Sequence, residues 1–300
     1  MMENNNGLYR RKVLEGQGTA DIYQVFQGVQ MIMLNIRSSS YCPLMEQDSD
    51  VLEINYCYQG RAECRMLDGC SQYVGEGDVF LSTVKNHSSH IEFPLGYYKG
   101  IVILIDPNVI SPDINNYLPG IPFDVSEIAD RFFANDECFL IQGKRETEHL
   151  FLPLYSVPEE ARTALFRLKI LELFIYLHYF NCNAEKQKGV YTRQQVEIAK
   201  QVEKKMTEMP DQRYTIDELA KEYCISPTAL KTYFKGVYGK PIAAYMKEYR
   251  IKYAASLLRD TNDSAGEIAV SVGYESQSKF GAAFKDVMKM TPLEYRSKFT

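Results

Sequence analysis

The sequence predicts an α+β protein with a β-rich first part and an all-α last third. Short alternating or apolar runs between Gly-containing turns occupy residues 51–106, as in a small barrel or sandwich. Helix-start signals dominate residues 190–300. The chain has 300 residues, enough for two domains that each bury a core.

Charge is distributed unevenly along the chain. Residues 190–300 contain 18 Lys and Arg against 14 Asp and Glu, a net charge of +4, whereas residues 1–189 carry −9. A basic C-terminal part beside an acidic N-terminal part suggests that one end binds a polyanion.

The compartment is predicted from cysteines and hydropathy. The seven cysteines are scattered and include no C-x-x-C pair, which fits reduced thiols. The polar start is not typical of a signal peptide. The most apolar segment, 165–180, is too short and too charged to span a bilayer. We therefore expect a cytoplasmic protein without a membrane partner.

Strand signals follow one another in the first part. Val51–Tyr58 is a predicted strand, and a turn at Gln59-Gly60 leads into the alternating run Arg61–Leu67. Asp68-Gly69 marks a further hairpin turn. Later strands are predicted at Ser71–Val74, Val79–Thr83 and Gly100–Asp106.

The middle of the chain changes to helical patterns. A short helix is predicted between Pro122 and Ala134, and a longer one covers about 161–180. The apolar stripe of the longer helix is wider than one core contact needs, so it either lies across the β-domain or also packs on a second subunit. Polar residues 181–189 form a predicted linker. The stripe contains Leu165, Leu168, Leu171, Ile175 and Tyr179, widened by Phe166, Ile170, Leu173, Phe174 and Leu177.

The C-terminal part contains an internal repeat. Residues 218–220 (ELA) reappear as 267–269 (EIA), an offset of 49, whereas residues from 226 onwards reappear at an offset of 50. The extra residue falls in a turn, where an insertion is tolerated. Capping boxes precede both first helices, and Ser226-Pro227 caps the second helix of the first copy. Each copy is thus predicted to be helix, turn, helix.

The second helix of each copy has one apolar and one polar or small face. Leu230 and Phe234 point inward in the first, as Phe280 and Phe284 do in the second. A capped helix with such an outward face can enter a DNA major groove. The helix predicted from Pro241 to about Arg259 would span roughly 28 Å and could hold two such helices near the ~34 Å spacing of successive grooves.

These motifs resemble a known family. Residues 214–296, and above all IAVSVGYESQSKFGAAFKDVMKMTPLEYR, closely resemble the DNA-binding domain of the AraC/XylS transcription regulators. The resemblance implies base contacts from Thr228, Lys231, Thr232, Gln277, Ser278, Gly281 and Ala282. It implies DNA-backbone contacts from Ser226, Lys235, Ser276, Lys279 and Lys285.

One departure concerns the second recognition helix. Relatives often carry a large polar or basic side chain where this chain has Gly281-Ala282. Neither residue can donate from its side chain to a base edge. We therefore hypothesise that the first helix supplies most of the direct readout and the second contributes positioning, methyl contact or shape.

The first part resembles the sensory domains of the same family, which are cupin-like β-barrels, through EINYCYQGRAECRMLDGCSQYVGEGDVFLS. Such barrels bind small ligands, and the candidate pocket residues are Tyr41, Tyr56, Tyr58, Phe80 and Phe93. His87 and His90 are the nearest approach to a metal-binding pair, but the H-x-H pattern of metal cupins is absent, so we expect no cofactor.

The predicted organisation is a cupin-like sensory domain at 1–158, a dimerisation helix and linker at 159–189, and a double helix-turn-helix domain at 190–300. The predicted function is sequence-specific transcription regulation by a homodimer paired through the 161–180 helix. Promoter DNA, RNA polymerase and a small-molecule effector are the expected partners. Two alternatives stay open: a regulator without a ligand, controlled by abundance or a protein partner, and a metal-dependent cupin enzyme with a DNA-binding appendage.

Overall fold

The computed structural model describes residues 2–3, 9–14, 17–42, 50–66, 68–84, 91–121, 123–133, 138–184 and 189–299. The chain divides into two compact units, Met1–Val190 and Tyr191–Thr300, here called the N-terminal and C-terminal domains. The first contains the long strands and three helices, and the second contains seven helices among its described residues. The α+β class predicted from sequence is therefore confirmed.

The strands of the N-terminal domain lie in two antiparallel sheets. The strands are β1 (Met2–Glu3), β2 (Tyr9–Leu14), β3 (Gly18–Phe26), β4 (Val29–Ile36), β5 (Ser40–Tyr41), β6 (Leu52–Gly60), β7 (Ala62–Arg65), β8 (Ser71–Val74), β9 (Val79–Thr83), β10 (Ile91–Glu92), β11 (Tyr98–Ile105) and β12 (Cys138–Ile141), with β13 (Val190–Tyr191) at the domain boundary. The larger sheet has the order β1-β2-β3-β4-β11-β6-β9-β12, and the smaller contains β8-β7-β10-β5.

The described strands form two sheets rather than the single closed barrel that the resemblance implies. The predicted turn at Gln59-Gly60 illustrates the difference, because β6 and β7 belong to different sheets and are not a hairpin. Gly60 has a φ of 95°, and a Cβ there would lie 2.5 Å from the carbonyl oxygen of Tyr97. Glycine therefore lets the chain leave one sheet for the other. The turn predicted at Asp68-Gly69 does join a hairpin, β7–β8.

Strands β2–β4 were not predicted from the sequence. They pair as a meander, with β4 continuing onto β11 from Val29↔Ile105 to Ile36↔Tyr98. The apolar run of β4 and the left-handed Gly28 before it, with a φ of 75°, are the signals that could have located this hairpin.

Strands β6 and β11, in the middle of the larger sheet, are buried on both faces. Alternate residues of β6 and β11 point to opposite sides, as the two-residue strand period requires. Cys57 and Val102 join the layer between the sheets, whereas Ile54 and Ile103 pack against helices. The N-terminal domain is thus a three-layer arrangement of small sheet, large sheet and helices.

The helices of this domain are α1 (Val125–Phe132), α2 (Arg145–Phe151) and α3 (Glu159–Tyr179). Helix α3 confirms the predicted 161–180 helix, and its wide stripe divides into two sets. One set faces the core, and the other, Leu168, Ile175 and Tyr179, is exposed. No helix in the described ranges is long and apolar enough to cross a membrane. The core-facing set is Phe166, Ile170, Leu173, Phe174 and Leu177.

The C-terminal domain is helical, as predicted. The 19-residue helix α7 matches the connecting helix expected from Pro241 to about Arg259, and Pro241 is its N-cap. The helices are α4 (Arg193–Glu208), α5 (Ile216–Glu222), α6 (Pro227–Tyr238), α7 (Ile242–Asp260), α8 (Ala265–Ser271), α9 (Gln277–Met288) and α10 (Pro292–Phe299).

Candidate nucleic-acid interface

Local capping interactions determine where each helix-turn-helix begins. Thr215 accepts the backbone N–H of Glu218 before α5, and Glu218 in return accepts the N–H of Thr215 at 2.8 Å. Ser264 and Glu267 repeat this capping box before α8. Because each box satisfies two otherwise unpaired backbone groups, the sequence fixes the first helix of each copy.

The turns between the paired helices also repeat. Cys224, with a φ of 55°, and Gly273, with a φ of 81°, are both left-handed and 49 residues apart. The helices that follow, α6 and α9, each have 12 residues. The structure thus contains two helix-turn-helix units, α5–α6 and α8–α9, which we call the first and second.

The outward face of α6 carries Thr228, Lys231, Thr232 and Lys235, all exposed. Its inward face holds Leu230 and Phe234, both fully buried. Phe234 packs edge-on against Tyr245 of α7 with ring centroids 5.4 Å apart. The four residues predicted to contact DNA from this helix therefore lie together on one accessible surface.

The hydroxyl of Thr232 already forms one hydrogen bond within α6. It donates to the carbonyl oxygen of Thr228 at 2.9 Å, one helical turn earlier. The oxygen keeps its lone pairs and the side chain keeps its exposed methyl group. Thr232 can therefore accept a hydrogen bond from a base amine or contact a thymine methyl group.

On α9, the predicted residues Gln277, Ser278 and Ala282 are exposed, and Gly281 is partly exposed. A Cβ placed on Gly281 would meet no atom within 4 Å in the described part of the chain, apart from its own helix backbone. The face is thus open but contains little side-chain chemistry at its centre, as the sequence predicted.

The two serines predicted to contact the DNA backbone act as helix N-caps. Ser226 Oγ accepts the N–H of Ala229 at 3.1 Å, and Ser276 Oγ accepts that of Lys279 at 3.4 Å. Each hydroxyl proton faces away from this capping bond and can still donate to a phosphate oxygen. The caps also place the remaining free N–H groups of each helix start at the outward surface.

The lysines of the interface differ from those elsewhere in the domain. Lys205, Lys240 and Lys247 are paired with Glu222, Glu248 and Asp286 at 2.5–2.7 Å. In contrast, Lys231, Lys235, Lys279 and Lys285 form no ion pair within the described part of the chain. Positive charge is therefore left available on the two outward faces.

Helix α7 contacts both halves of the domain. Tyr245 donates to the Glu203 carboxylate of α4 at 2.8 Å, and burial raises the pKa of Glu203 despite this bond. Lys247 contacts Asp286 of α9 at 2.6 Å. The connecting helix predicted from sequence therefore contacts each half of the domain directly.

The five aromatic candidates of the N-terminal domain do not line one pocket. Tyr41, Phe80 and Phe93 belong to the layer between the sheets, whereas Tyr56 and Tyr58 pack on the helix side of the larger sheet. Tyr56 stacks on Phe151 and Tyr58 on Tyr155, with centroids 4.4 and 4.1 Å apart.

The histidine pair lies outside the described residues. Of the other two, His149 has its Nε2 atom 3.8 Å from a Glu172 carboxylate oxygen on the rim formed by α2 and α3. Within the described ranges, no group of three or more His, Cys, Asp or Glu side chains could hold a metal ion.

Three residues that hold the units together were not predicted from the sequence. They are Arg213 and Arg250, which donate hydrogen bonds, and Gly273, which packs closely against another backbone segment. Their contacts run between backbone segments about 40 to 60 residues apart. The glycine itself was visible in the family signature, but no pattern indicated the contact that it makes.

The geometry defines a double helix-turn-helix domain. Residues 219–298 match a family model described as a helix-turn-helix domain. The HTH-type transcriptional regulator AlkR of Acinetobacter baylyi is 30% identical over 89 residues, which cover 30% of this chain and 29% of AlkR. A putative AraC-like transcription regulator of Streptomyces lividans is 38% identical over 87 residues, 29% of each chain. The C-terminal domain belongs to the AraC/XylS family of transcription regulators.

The chain spans about three-tenths of the length of these curated relatives. Among solved structures, apo ToxT from Vibrio cholerae aligns with 91% of this chain and 98% of its own, at 14% identity and a TM-score of 0.34.

Proposed function

We propose that the protein is a sequence-specific transcription regulator that inserts α6 and α9 into successive major grooves of promoter DNA. The observation that carries this proposal is the pair of exposed faces on two repeated, capped helices. Helix α6 contains two lysines and no acidic residue, and the single acidic residue of α9, Asp286, is paired with Lys247. The names of the relatives support the same role.

The roles of individual residues follow from where they lie. Thr228, Lys231 and Thr232 on α6, with Gln277, Ser278, Gly281 and Ala282 on α9, are the proposed base-facing residues. Lys235, Lys279 and Lys285, with Ser226 and Ser276, are the proposed phosphate-facing residues. Lysine can donate to guanine O6 and N7, whereas the methyl group of Ala282 can only contact thymine or sugar.

The N-terminal domain is the proposed effector and dimerisation domain. Two polar atoms between its sheets, Gln72 Nε2 and Ser82 Oγ, are buried and have no hydrogen-bond partner among the residues that the structure describes. A small polar ligand would satisfy such atoms, which otherwise destabilise the fold. The exposed apolar set on α3 supports pairing with a second copy. Effector binding would then alter how the dimer engages DNA and recruits or blocks RNA polymerase.

Selection from a random DNA library, followed by a salt titration, tests the proposal. The full chain should enrich a site with two blocks about one helical turn apart. With six or more phosphate contacts, affinity should fall roughly 10³-fold between 50 and 200 mM salt. A flat salt response, or enrichment of no sequence, would overturn the proposed function.

A further inference from the structure

The loop between α4 and α5, residues 209–214, is hydrogen-bonded to the middle of α7. Arg250 donates from Nε to the Pro210 carbonyl oxygen and from Nη2 to that of Gln212, both at 2.7 Å. The Arg250 side chain is partly buried, and its desolvation lowers the pKa of the guanidinium. A guanidinium that binds two carbonyl groups of one loop holds that loop in a single orientation.

The same loop abuts the turn of the second unit. A Cβ at Gly273 would lie 2.9 Å from the Asp211 carbonyl oxygen and 3.1 Å from the Pro210 carbonyl oxygen. Arg213 donates to the Gly273 carbonyl oxygen at 3.2 Å and lies 3.4 Å from a Glu275 carboxylate oxygen. Since Ser276 caps α9 three residues later, the loop sets where the second recognition helix starts.

The repeat supplies an internal comparison. Cys224 occupies the position of Gly273 in the first unit, is also left-handed, and is exposed. A left-handed backbone conformation at this turn therefore does not by itself require glycine. Glycine at 273 is required by the close approach of the loop backbone, in addition to the backbone conformation.

Helix α7 contacts the two units through different parts of its length. Tyr245 near its start packs against Phe234 of α6, whereas residues of its C-terminal half, such as Ile251 and Leu258, share a buried core with α8 and α9. The loop adds a second connection that does not run through the α7–α9 contact. Two separated connections restrict both the distance and the rotation between α6 and α9.

We propose that this loop lock, formed by residues 210–213 with Arg250 and Gly273, fixes the rotational phase between the two recognition helices. Half-site spacing thereby becomes part of what the protein recognises. The inference rests on the proposed DNA-binding function and assigns Arg250 and Gly273 as positioning residues, since neither belongs to the outward faces.

The physical consequence concerns simultaneous binding. Two linked modules gain affinity only when their geometry lets both engage, and a rigid linkage confines that gain to one spacing. One inserted base pair shifts a half-site by ~3.4 Å and rotates it by ~34°. A locked protein must then release one helix or deform the DNA.

The test uses the full chain and its selected site, with one or two base pairs inserted between the blocks bound by α6 and α9. For the wild type, one insertion should lower affinity at least ~30-fold. In Arg250→Met and Gly273→Ala the same insertion should lower it only ~3-fold, although both variants bind the original site more weakly because preorganisation is lost.

Two matched controls accompany these variants. Arg259→Met removes the same charge from the same helix, at a residue whose side chain pairs with the neighbouring Asp260. Cys224→Ala places an alanine at the equivalent left-handed, exposed position of the first unit. Both controls should keep the wild-type spacing penalty. A wild type indifferent to spacing, or lock variants with the full penalty, would overturn the proposal.

A DNA-free measurement separates this inference from the function on which it rests. Spin labels carried by unnatural amino acids at the exposed positions Lys221 and Lys289 report the distance between the units. The wild type should give one narrow distribution, which Arg250→Met or Arg213→Ala broadens. Narrow distributions in every variant contradict the lock even if DNA binds. If the protein does not bind DNA but the variants still broaden the distance distribution, only the proposed DNA-binding function is contradicted.

Discussion

Lys231 and Gly281 occupy equivalent positions of α6 and α9, 50 residues apart in the repeat. Lys231 is exposed, and no atom of another described segment lies within 4 Å of a Cβ placed on Gly281. The same scaffold therefore carries a cationic side chain on one outward face and a bare backbone on the other. This difference makes the contributions of the two helices separable by experiment.

Exchanging these side chains should move sequence preference between the two blocks of the site. Lys231→Ala should relax the base preference in one block, with a loss of about 1–3 kcal/mol of discrimination at the contacted pair. Gly281→Lys should create a preference in the other block, and Ala282→Ser should change that block only slightly. Library selection with each variant gives the readout.

Lys204→Ala is the control for lost charge, because Lys204 lies on α4 with 75% of its side chain exposed. It should weaken binding slightly and uniformly across sequences. If Lys231→Ala left the selected sequence unchanged, the assignment of α6 as the principal reader would fail.

Two glycines inside the recognition helices should respond oppositely to alanine. Gly281→Ala should stabilise the domain by about 0.5–1 kcal/mol, because alanine favours the helix and the space is free. At Gly236 a Cβ would overlap the Tyr191 ring, and such overpacking costs about 1–3 kcal/mol. Urea unfolding followed by helical circular dichroism measures both.

A double-mutant cycle identifies the cause at Gly236. In a Tyr191→Ala background, Gly236→Ala should be less destabilising, since the three atoms nearest to the new Cβ all belong to the Tyr191 side chain. The Tyr191 contact is not the reason for this glycine if Gly236→Ala destabilises equally in both backgrounds.

The three capping glutamates should make the helical domain sensitive to acid. Each accepts the backbone N–H of the residue three positions earlier, and this bond lowers its pKa below the ordinary value of 4.5. A lowered folded-state pKa stabilises the native state above pH 4.5, and the contribution is lost as pH falls through the lowered value. The residues are Glu218, Glu267 and Glu294.

Glutamine at all three positions keeps the capping geometry without the charge. The difference in thermal midpoint between pH 6 and pH 3.5 should therefore shrink in the triple variant relative to the wild type. Equal acid sensitivity in the two proteins would assign the effect to other carboxylates.

The exposed face of α3 should govern the oligomeric state. Leu168, Ile175 and Tyr179 are 63%, 37% and 70% exposed, and they follow one another at seven- and four-residue intervals. Burying one leucine contributes about 1.5–3 kcal/mol, so Leu168→Glu should raise the dimer dissociation constant at least ~10-fold. Sedimentation equilibrium measures this constant.

Val109→Glu is the matched control, since Val109 is 46% exposed on the connection after β11. It should leave the dissociation constant unchanged. A wild type that stays monomeric at every concentration would contradict dimerisation through α3, as would a dimer unaffected by Leu168→Glu.

Features with local causes could be predicted from the amino-acid sequence. Capping boxes, the proline after Ser226 and the 3.6-residue period act within a few residues, so the helices of the C-terminal domain begin close to where the pattern predicts. The repeat offset identified the two turns and the outward faces for the same reason. The difference between Lys231 and Gly281 can likewise be read directly from the amino-acid sequence.

Relationships between distant segments could not be predicted in this way, and they became apparent in the folded chain. The apolar stripe of α3 contains both a buried and an exposed set of residues. Packing against the larger sheet determines which residues are buried. The aromatic candidates lie on opposite faces because β6 contributes Tyr56 to one side while β9 contributes Phe80 to the other. The contact of Gly273 with residues 210–211 joins segments about 60 residues apart, and no local pattern encodes such an approach. Backbone packing between distant segments, rather than residue type, fixed these relationships.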